Sequence, residues 1–317
     1  MAVFRLLCAP VVVFDACVHI EVLVNDWAQY RLLDSGNRRK LEQFGGVCVV
    51  RSEPKAWWSP ALGGEEWARA VAVHEDEGRE GRWRFPGRNP LPEWEVPFGE
   101  AGGVRLRFRL RFMDNSKQVG IFPEQSPHWH WLAARGVGKG ARPRVLNLFG
   151  YTGAATLVCA AAGWQVTHVD ASRPAIAWGR RNQELSGLGN APIRWILDDA
   201  VKFVQREERR GSRYEAILLD PPAFGRGPDN EFWKIERDLP PLLRRCRALL
   251  SPGAARFVLL TVYTVDASSV LCHNLLEEMT LGLGGKISVG ELAHRDESGG
   301  RLLSLSLWGR WEGGAAA

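Results

Sequence analysis

Two short runs of residues stand out because their chemistry and position are both unusual. The first is Asn147-Leu148-Phe149-Gly150-Tyr151-Thr152-Gly153, and the second is Asp220-Pro221-Pro222-Ala223-Phe224. Each directly follows an apolar stretch that reads as a buried strand, Arg144 to Phe149 and Tyr214 to Leu219. Ligands of an open α/β sheet sit beyond the carboxyl ends of its strands, so both runs are expected to face one pocket. Gly150 and Gly153 suit a tight turn between strand and helix, because glycine reaches positive φ and lets a ligand approach the backbone. A helix starting at Ala154 adds free N–H groups and a partial positive charge. The loop, with Asn147, Phe149, Tyr151 and Thr152, therefore suits a nucleotide-like cofactor, although a glycine pair alone is weak evidence.

The following strand ends strengthen that reading. Gln165-Val166-Thr167-His168-Val169-Asp170 ends in an acid, followed by Ala171, that is placed to accept hydrogen bonds from ribose hydroxyls. Asp198 and Asp199, followed by Ala200, end the next strand, and one of them suits an adenine amino group. The competing reading of Asp170 or Asp199 is a helix N-cap. Nicotinamide enzymes share a glycine loop and a ribose acid. They usually carry G-x-G-x-x-G, however, and have no use for an Asp-Pro-Pro-x-Phe loop. S-adenosylmethionine is the better fit.

The second run reads as the substrate side. Pro221 and Pro222 fix two φ angles and remove two donors, leaving the Asp220 carboxylate and the proline carbonyls as a rigid row of acceptors. Such a row suits the amino group or ring N–H of a base. Phe224 offers a stacking face, a contact that contributes about 1–3 kcal/mol per base. A paired base must leave its stack to reach such a pocket. The plainer reading is a turn with a core Phe. Arg226 and Lys234 follow as candidates for a phosphate beside the target nucleotide, or as solvated charge.

The elements that position these residues change character along the chain. From about Lys117 onward, apolar strands alternate with helical segments, the mark of a parallel sheet with crossover helices. Strands are expected near 144–149, 164–170, 192–197, 214–220 and 254–262. Helices are expected over 154–162, 175–185, 200–208 and 239–250. Two later strands, 286–293 and 301–310, flank the turn Asp296 to Gly300. Five parallel strands closed by an antiparallel hairpin indicate an α/β fold, the methyltransferase variant of the doubly wound sheet.

The division expected is an extension or first strand over 1–25, a small β-rich domain over 26–115, and the catalytic domain over 116–317. Short strands at 30–34 and 47–51 flank the basic turn Gly36 to Lys40, and residues 76–103 read as loops joining short strands. Val104 to Phe112 alternates apolar residues with Arg105, Arg107, Arg109 and Arg111, so one face is apolar and the other is wholly Arg. That face either tracks phosphates or pairs with acids on adjacent strands.

At 317 residues the chain accommodates two domains, and 45% hydrophobic with 24% charged residues is ordinary for a globular protein. The net charge of +5 is compatible with a polyanionic partner without establishing one. No apolar run approaches the roughly 18 residues of a membrane span, and the N-terminus lacks the clean apolar centre of a secretory signal. The 6 cysteines show no CxxC spacing, which fits a reducing cytoplasm and argues against a zinc site. His128 and His130 are two apart, so on a helix they do not face one another, and no metal is expected.

Residues 117 to 311 resemble the bacterial class I S-adenosylmethionine-dependent methyltransferases grouped with the 23S rRNA methyltransferases. The likeness rests on Lys117 to Gln125, Asn147 to Gly153, Asp220 to Gly227, Gly290 to Ala293 and Arg301 to Leu303. The stretch from Asp34 to Pro54 resembles the small β-domain of the family's shorter members. The resemblance implies the class I fold, S-adenosylmethionine, and an RNA base, within rRNA, as substrate. It also places Phe122 and Gln125 on the cofactor side of the pocket. One departure matters. Members that methylate cytosine C5 carry a cysteine after the fourth or fifth strand, and neither strand end here has one. A nitrogen target is therefore favoured, with Asp220 and the proline carbonyls orienting it for in-line displacement. The rival readings are a non-catalytic RNA-binding or ribosome-assembly protein and a nicotinamide-dependent oxidoreductase.

Overall fold

The computed structural model describes residues 18–77, 80–87, 93–114, 116–136, 142–253, 256–263 and 265–314. The expectation over residues 1–17, part of the loop region 76–103, and residues 254 and 255 of the fifth expected strand lie outside them.

The chain opens on strand β1 (Ile20–Val24) and then builds the small β-rich part: β2 (Tyr30–Gly36), β3 (Arg39–Phe44), β4 (Val47–Ser52), the short helix α1 (Gly64–Trp67), β5 (Ala72–Glu77) and β6 (Glu80–Arg84). These five strands form one sheet in sequence order. A second, two-stranded ribbon follows, β7 (Glu93–Ala101) with β8 (Val104–Arg111). Sequence reading placed loops over β7 because Pro97 and Gly99 look like turn residues. They sit instead at a bulge, where the register shifts between Pro97 and Gly99 and Gly99 takes φ 129°.

The large part runs α2 (Ser126–Ala133), β9 (Arg144–Leu148), α3 (Ala154–Ala161), β10 (Gln165–Asp170), α4 (Arg173–Leu185), β11 (Ile193–Leu197), α5 (Ala200–Arg209), β12 (Ala216–Leu219), the ribbon β13 (Phe224–Arg226) and β14 (Phe232–Lys234), α6 (Ile235–Leu249), β15 (Arg256–Val262), α7 (Val270–Thr280), β16 (Lys286–Arg295) and β17 (Leu302–Gly313). Its sheet has the order β1-β16-β17-β15-β12-β9-β10-β11. Strands β9, β10, β11, β12 and β15 are mutually parallel, and β17 runs antiparallel to both β15 and β16. This is the class I methyltransferase fold. Its central strands are continuous apolar runs because helices cover both faces; all four residues of β12, Ala216 to Leu219, are buried. The edge strand β1 pairs in parallel with β16, so residues 20–24 belong to the large sheet.

The two parts are bolted together. The Asp34 carboxylate, fully buried, accepts from the Ala61 and Leu62 amides, from Trp67 Nε1 and from Ser298 Oγ at 2.6 to 3.2 Å. Ser35 Oγ donates in return to Asp296 Oδ2 at 2.8 Å. Ser298 and Asp296 lie in the turn that joins β16 to β17. Nearby, Glu42 accepts from Arg51 Nε and Nη2 at 2.6 and 2.7 Å and from the Tyr30 hydroxyl at 2.7 Å.

Candidate active site

The loop after β9 is held in a demanding shape. Phe149 and Tyr151 take φ of 57° and 50°, and Gly153 takes 86°. A left-handed conformation costs a non-glycine residue of order 1–3 kcal/mol, so the surroundings must enforce it. They do: the Tyr151 amide donates to Asp170 Oδ2 at 2.8 Å, the Gly150 amide to the Val169 carbonyl at 3.2 Å, and Thr152 Oγ1 to the Gly120 carbonyl at 2.6 Å. Gly150 itself is not left-handed, contrary to expectation. A Cβ there would lie 2.4 Å from His168 Cε1, so the glycine makes room for the neighbouring strand's imidazole. That imidazole is buried, which pushes its pKa down to about 3, and its Nδ1 lies 2.8 Å from Thr156 Oγ1. Asn147 Nδ2 donates to the same hydroxyl at 2.9 Å. Gly153 is needed on both counts, since its Cβ would also stand 2.7 Å from the Trp195 ring.

Two adjoining hollows open at these strand ends, and Phe149 lines both. The first, of about 570 Å³, is lined by Phe122, Gln125, Asn147, Phe149, Gly150, Tyr151, Thr152 and Asp220, with an apolar floor from α2 and the sheet. The second, of about 360 Å³, is lined by Asp170, Ala171, Asp198, Asp199, Ala200, Pro222, Arg226 and Trp233. The loop, the three acids and Asp220 thus meet around one side chain.

The acids have distinct employments. Asp170 accepts from the Tyr151 and Ser172 amides, both at 2.8 Å, and burial outweighs these bonds to raise its pKa. Asp198 pairs with Arg206. Asp199 caps α5, accepting from the Lys202 amide at 2.9 Å through Oδ1, which is the competing role foreseen for it. Asp220 differs from all three. Its Oδ1 is buried and has no hydrogen-bond partner. Burial first, and then repulsion from Glu124, push its pKa up to about 8 against a lowering bond from Gln125. An unanswered buried oxygen at a cleft wall marks a candidate ligand contact.

Part of the expected row of acceptors is already in use. The Pro222 carbonyl already accepts from Trp233 Nε1 at 2.7 Å, and the Ala223 carbonyl from the Ile235 amide at 2.9 Å. Pro221 stiffens the loop and does not line either hollow. Phe224 is no core residue: it is 74% exposed. Lys234 is exposed beside it on the paired strand. Arg105 and Arg107 lie apart from both hollows, on β8. There Arg107 sits 3.7 Å from Glu95, Arg109 pairs with Glu93, Arg111 lies over the Trp178 ring, and Arg105 stands opposite Glu100. His128 is buried against Trp308 and His130 is exposed on the other side of α2, near Asp26.

Sequence reading missed three contributors. Tyr263, just past β15, accepts from Gln125 Nε2 at 3.0 Å and packs 5.7 Å from Phe122, so it braces two residues that line the first hollow. Its place after a central parallel strand was the available signal. Trp233 packs at a tilt against Phe149, ring centres 4.9 Å apart. Glu124, buried and 3.6 Å from His294, sets the field at Asp220.

A parallel sheet closed by an antiparallel hairpin, with a glycine loop, strand-end acids and a buried Asp beside two prolines, defines a class I methyltransferase. The chain belongs to the S-adenosylmethionine-dependent methyltransferase family, whose model matches residues 20–283. A solved S-adenosylmethionine-dependent methyltransferase from Agrobacterium tumefaciens is 46% identical, with 92% of this chain and 93% of that one covered and a TM-score of 0.85. A Streptococcus mutans protein proposed to be a methyltransferase shares the fold at 15% identity, covering 90% of this chain and 75% of that one, with a TM-score of 0.67. Among curated proteins, ribosomal RNA large subunit methyltransferase K/L of Methylococcus capsulatus is 38% identical over 157 residues, 49% of this chain and 20% of its own length. Methyltransferase I of Aeromonas hydrophila is 31% identical over 156 residues, 49% of this chain and 37% of its own length. The chain thus matches a minor part of these longer relatives. Its methyl donor is S-adenosylmethionine.

The residues present fit that donor. The second hollow is a narrow slot with acids at its rim and Phe149, Val169 and Pro222 as apolar walls, a combination suited to a nucleoside. The buried Asp220 oxygen in the first hollow suits a cationic neighbour or an N–H donor. Among the described residues, no helix is long and apolar enough to cross a membrane, and no cluster of His, Cys, Asp or Glu would hold a metal ion.

Proposed function

We propose that this enzyme methylates a nitrogen of an RNA base, and that the RNA is ribosomal. The observation that carries the nitrogen assignment is Asp220: a partly buried carboxyl whose buried Oδ1 is unclaimed, at the wall between the loop and the Asp-Pro-Pro turn. S-adenosylmethionine supplies a methyl group already activated on a positively charged sulfur. The protein's task is to align the accepting atom about 3–3.5 Å from it and exclude water. Asp170 holds the loop through Tyr151 and keeps a carboxylate at the slot for ribose hydroxyls. Phe122, packed between Tyr151 and Tyr263, adds an aromatic wall. Asp220 accepts the N–H of the base, fixes the direction of the lone pair and takes up the proton released. A nearby cation lowers the cost of ionising a buried acid, so Asp220 is readiest as a base when the donor is in place.

Carbon chemistry on cytosine needs a thiol at the pocket, and among the described residues no cysteine lines either hollow. Cys246 of α6 and Cys272 of α7 are buried, and burial pushes the Cys272 thiol up to about 12. A thiol so protonated is a poor nucleophile. The rRNA assignment rests on the names of the curated relatives and on the exposed aromatic and basic residues beside the turn. Nucleoside mass spectrometry of rRNA from a deletion strain tests it directly. Loss of one N-methylated nucleoside supports the reading, loss of 5-methylcytosine overturns the nitrogen target, and an unchanged profile overturns rRNA as substrate.

A further inference from the structure

The ribbon formed by β13 and β14 carries more than the turn residues require. Phe224 pairs with Lys234, Gly225 with Trp233, and Arg226 with Phe232. Residues opposite one another in an antiparallel pair share a face, and alternate residues along a strand do too. Phe224, Arg226, Phe232 and Lys234 therefore lie on one face, with the aromatics on one diagonal and the cations on the other. Burial agrees: Phe224 is 74% exposed and Phe232 is 52% exposed, whereas Trp233 on the opposite face is buried.

Two exposed phenylalanines on one small ribbon are costly to keep in water unless they are used. Resting on the methyltransferase reading above, we infer that this face is a stacking platform for an unpaired RNA segment, with Phe224 and Phe232 each taking a base. Diagonal neighbours in a ribbon are about 7–8 Å apart, and the two rings project side by side, so each offers its own surface. Arg226 and Lys234 occupy the other two corners, where the phosphate between the two nucleotides would pass. Arg237 lies 5.7 Å from the Phe232 ring centre, covering one side of the ring and adding a third cation. Glu236, 3.7 Å from the Lys234 ammonium, is the acid at this rim, and Asp238 is engaged by Arg237.

The platform is fixed rather than loose. Trp233 donates to the Pro222 carbonyl at 2.7 Å and packs at a tilt against Phe149, tying the ribbon to both hollows. Arg226 Nη1 donates to Asn230 Oδ1 at 2.7 Å, and Lys202 on α5 pairs with Asp229 and Glu231 of the connecting turn. A base held on Phe224 thus lies two residues from the turn that carries Pro222, and its neighbour on Phe232 lies farther from the pocket. A duplex does not satisfy this face, because its base planes are already stacked.

Fluorescence anisotropy of full-length protein with a short labelled single-stranded RNA of mixed sequence, and with the same RNA annealed to its complement, tests the inference. Phe232→Ala should weaken single-strand binding about 5- to 100-fold, the range expected for one lost base stack. Phe232→Trp should restore it, and affinity for S-adenosylmethionine by calorimetry should stay at the wild-type value in both variants. Lys234→Ala should lower the slope of log affinity against log salt by about 0.7. Wild-type-like RNA binding by Phe232→Ala, or duplex binding as tight as single-strand binding, overturns the platform alone. A wild-type protein that binds S-adenosylmethionine but no RNA overturns the RNA substrate and the platform with it.

Discussion

Replacing Asp220 with Asn should move stability and catalysis in opposite directions. An ordinary Asp titrates near 3.8, and burial with the help of Glu124 pushes Asp220 up to about 8. Between those values the folded protein keeps a proton that the unfolded chain has released. The stability contributed by this group is therefore complete below pH 3.8 and is lost as pH rises through about 8. The loss runs at about 1.4 kcal/mol per pH unit, which sets an upper bound on the order of 5 kcal/mol at mild alkalinity. Water reaching the partly exposed side chain reduces this to about 2–3 kcal/mol. Asparagine is neutral throughout and avoids the loss. Thermal melts of the two proteins from about pH 5 to about pH 9 should therefore diverge steadily, with Asp220→Asn several degrees more stable at the upper end. Methyl transfer by the same variant should fall about 10²–10⁴-fold, the usual share of a positioned base. In the wild type kcat/KM should fall below an acid limb near pH 8, and that limb should vanish in the variant. A stability difference that does not change with pH, or a variant less stable than wild type at the alkaline end, would refute the reasoning.

Asp170→Ala removes the acceptor of the Tyr151 amide and frees a left-handed loop, so S-adenosylmethionine affinity by calorimetry should drop at least about 10-fold, with about 1–3 kcal/mol of stability. Gly150→Ala drives a Cβ into the His168 ring and should destabilise by about 1–3 kcal/mol in denaturant melts; the double variant with His168→Ala should cost less than the sum of the two. Cys246→Ser with Cys272→Ser should leave the transfer rate unchanged, and a large loss there would revive a thiol mechanism.

Much of this architecture was legible beforehand for a simple reason. The run 216–219 is apolar and buried throughout, and the more polar strands 165–170 and 193–197 are bounded by Gly163, Asp170, Pro192 and Asp198, so all three appear within two residues of their expected positions. The turn residues Asp296 to Gly300 announced the closing hairpin. What escaped was written in tertiary terms. The helix expected to begin at Leu239 starts at Ile235 and continues through Pro240 and Pro241, because Ile235, Leu239, Leu242 and Leu243 need one buried face. Strand β3 was missed between Gly36 and Phe44 because Lys40 and Glu42 read as surface residues. They are buried together, with Arg51 answering Glu42. At the site, residue types at strand ends pointed to the loop, the acids and Asp220. The occupied Pro222 carbonyl and the His168 ring behind Gly150 depend on distant partners, Trp233 and a neighbouring strand, that no local spacing reveals.

The carboxylate of Asp34 has a consequence for how large a target this enzyme accepts. Buried and shared between β2, the segment around Leu62 and the turn at Ser298, it acts as a rivet through three pieces of chain. Loosening one piece strands a negative charge in a dry place, so the small β-rich part cannot swivel on the catalytic part without a penalty. The two parts therefore keep a fixed separation, and on the RNA reading proposed above a substrate that touches both must bring its contact points to that spacing.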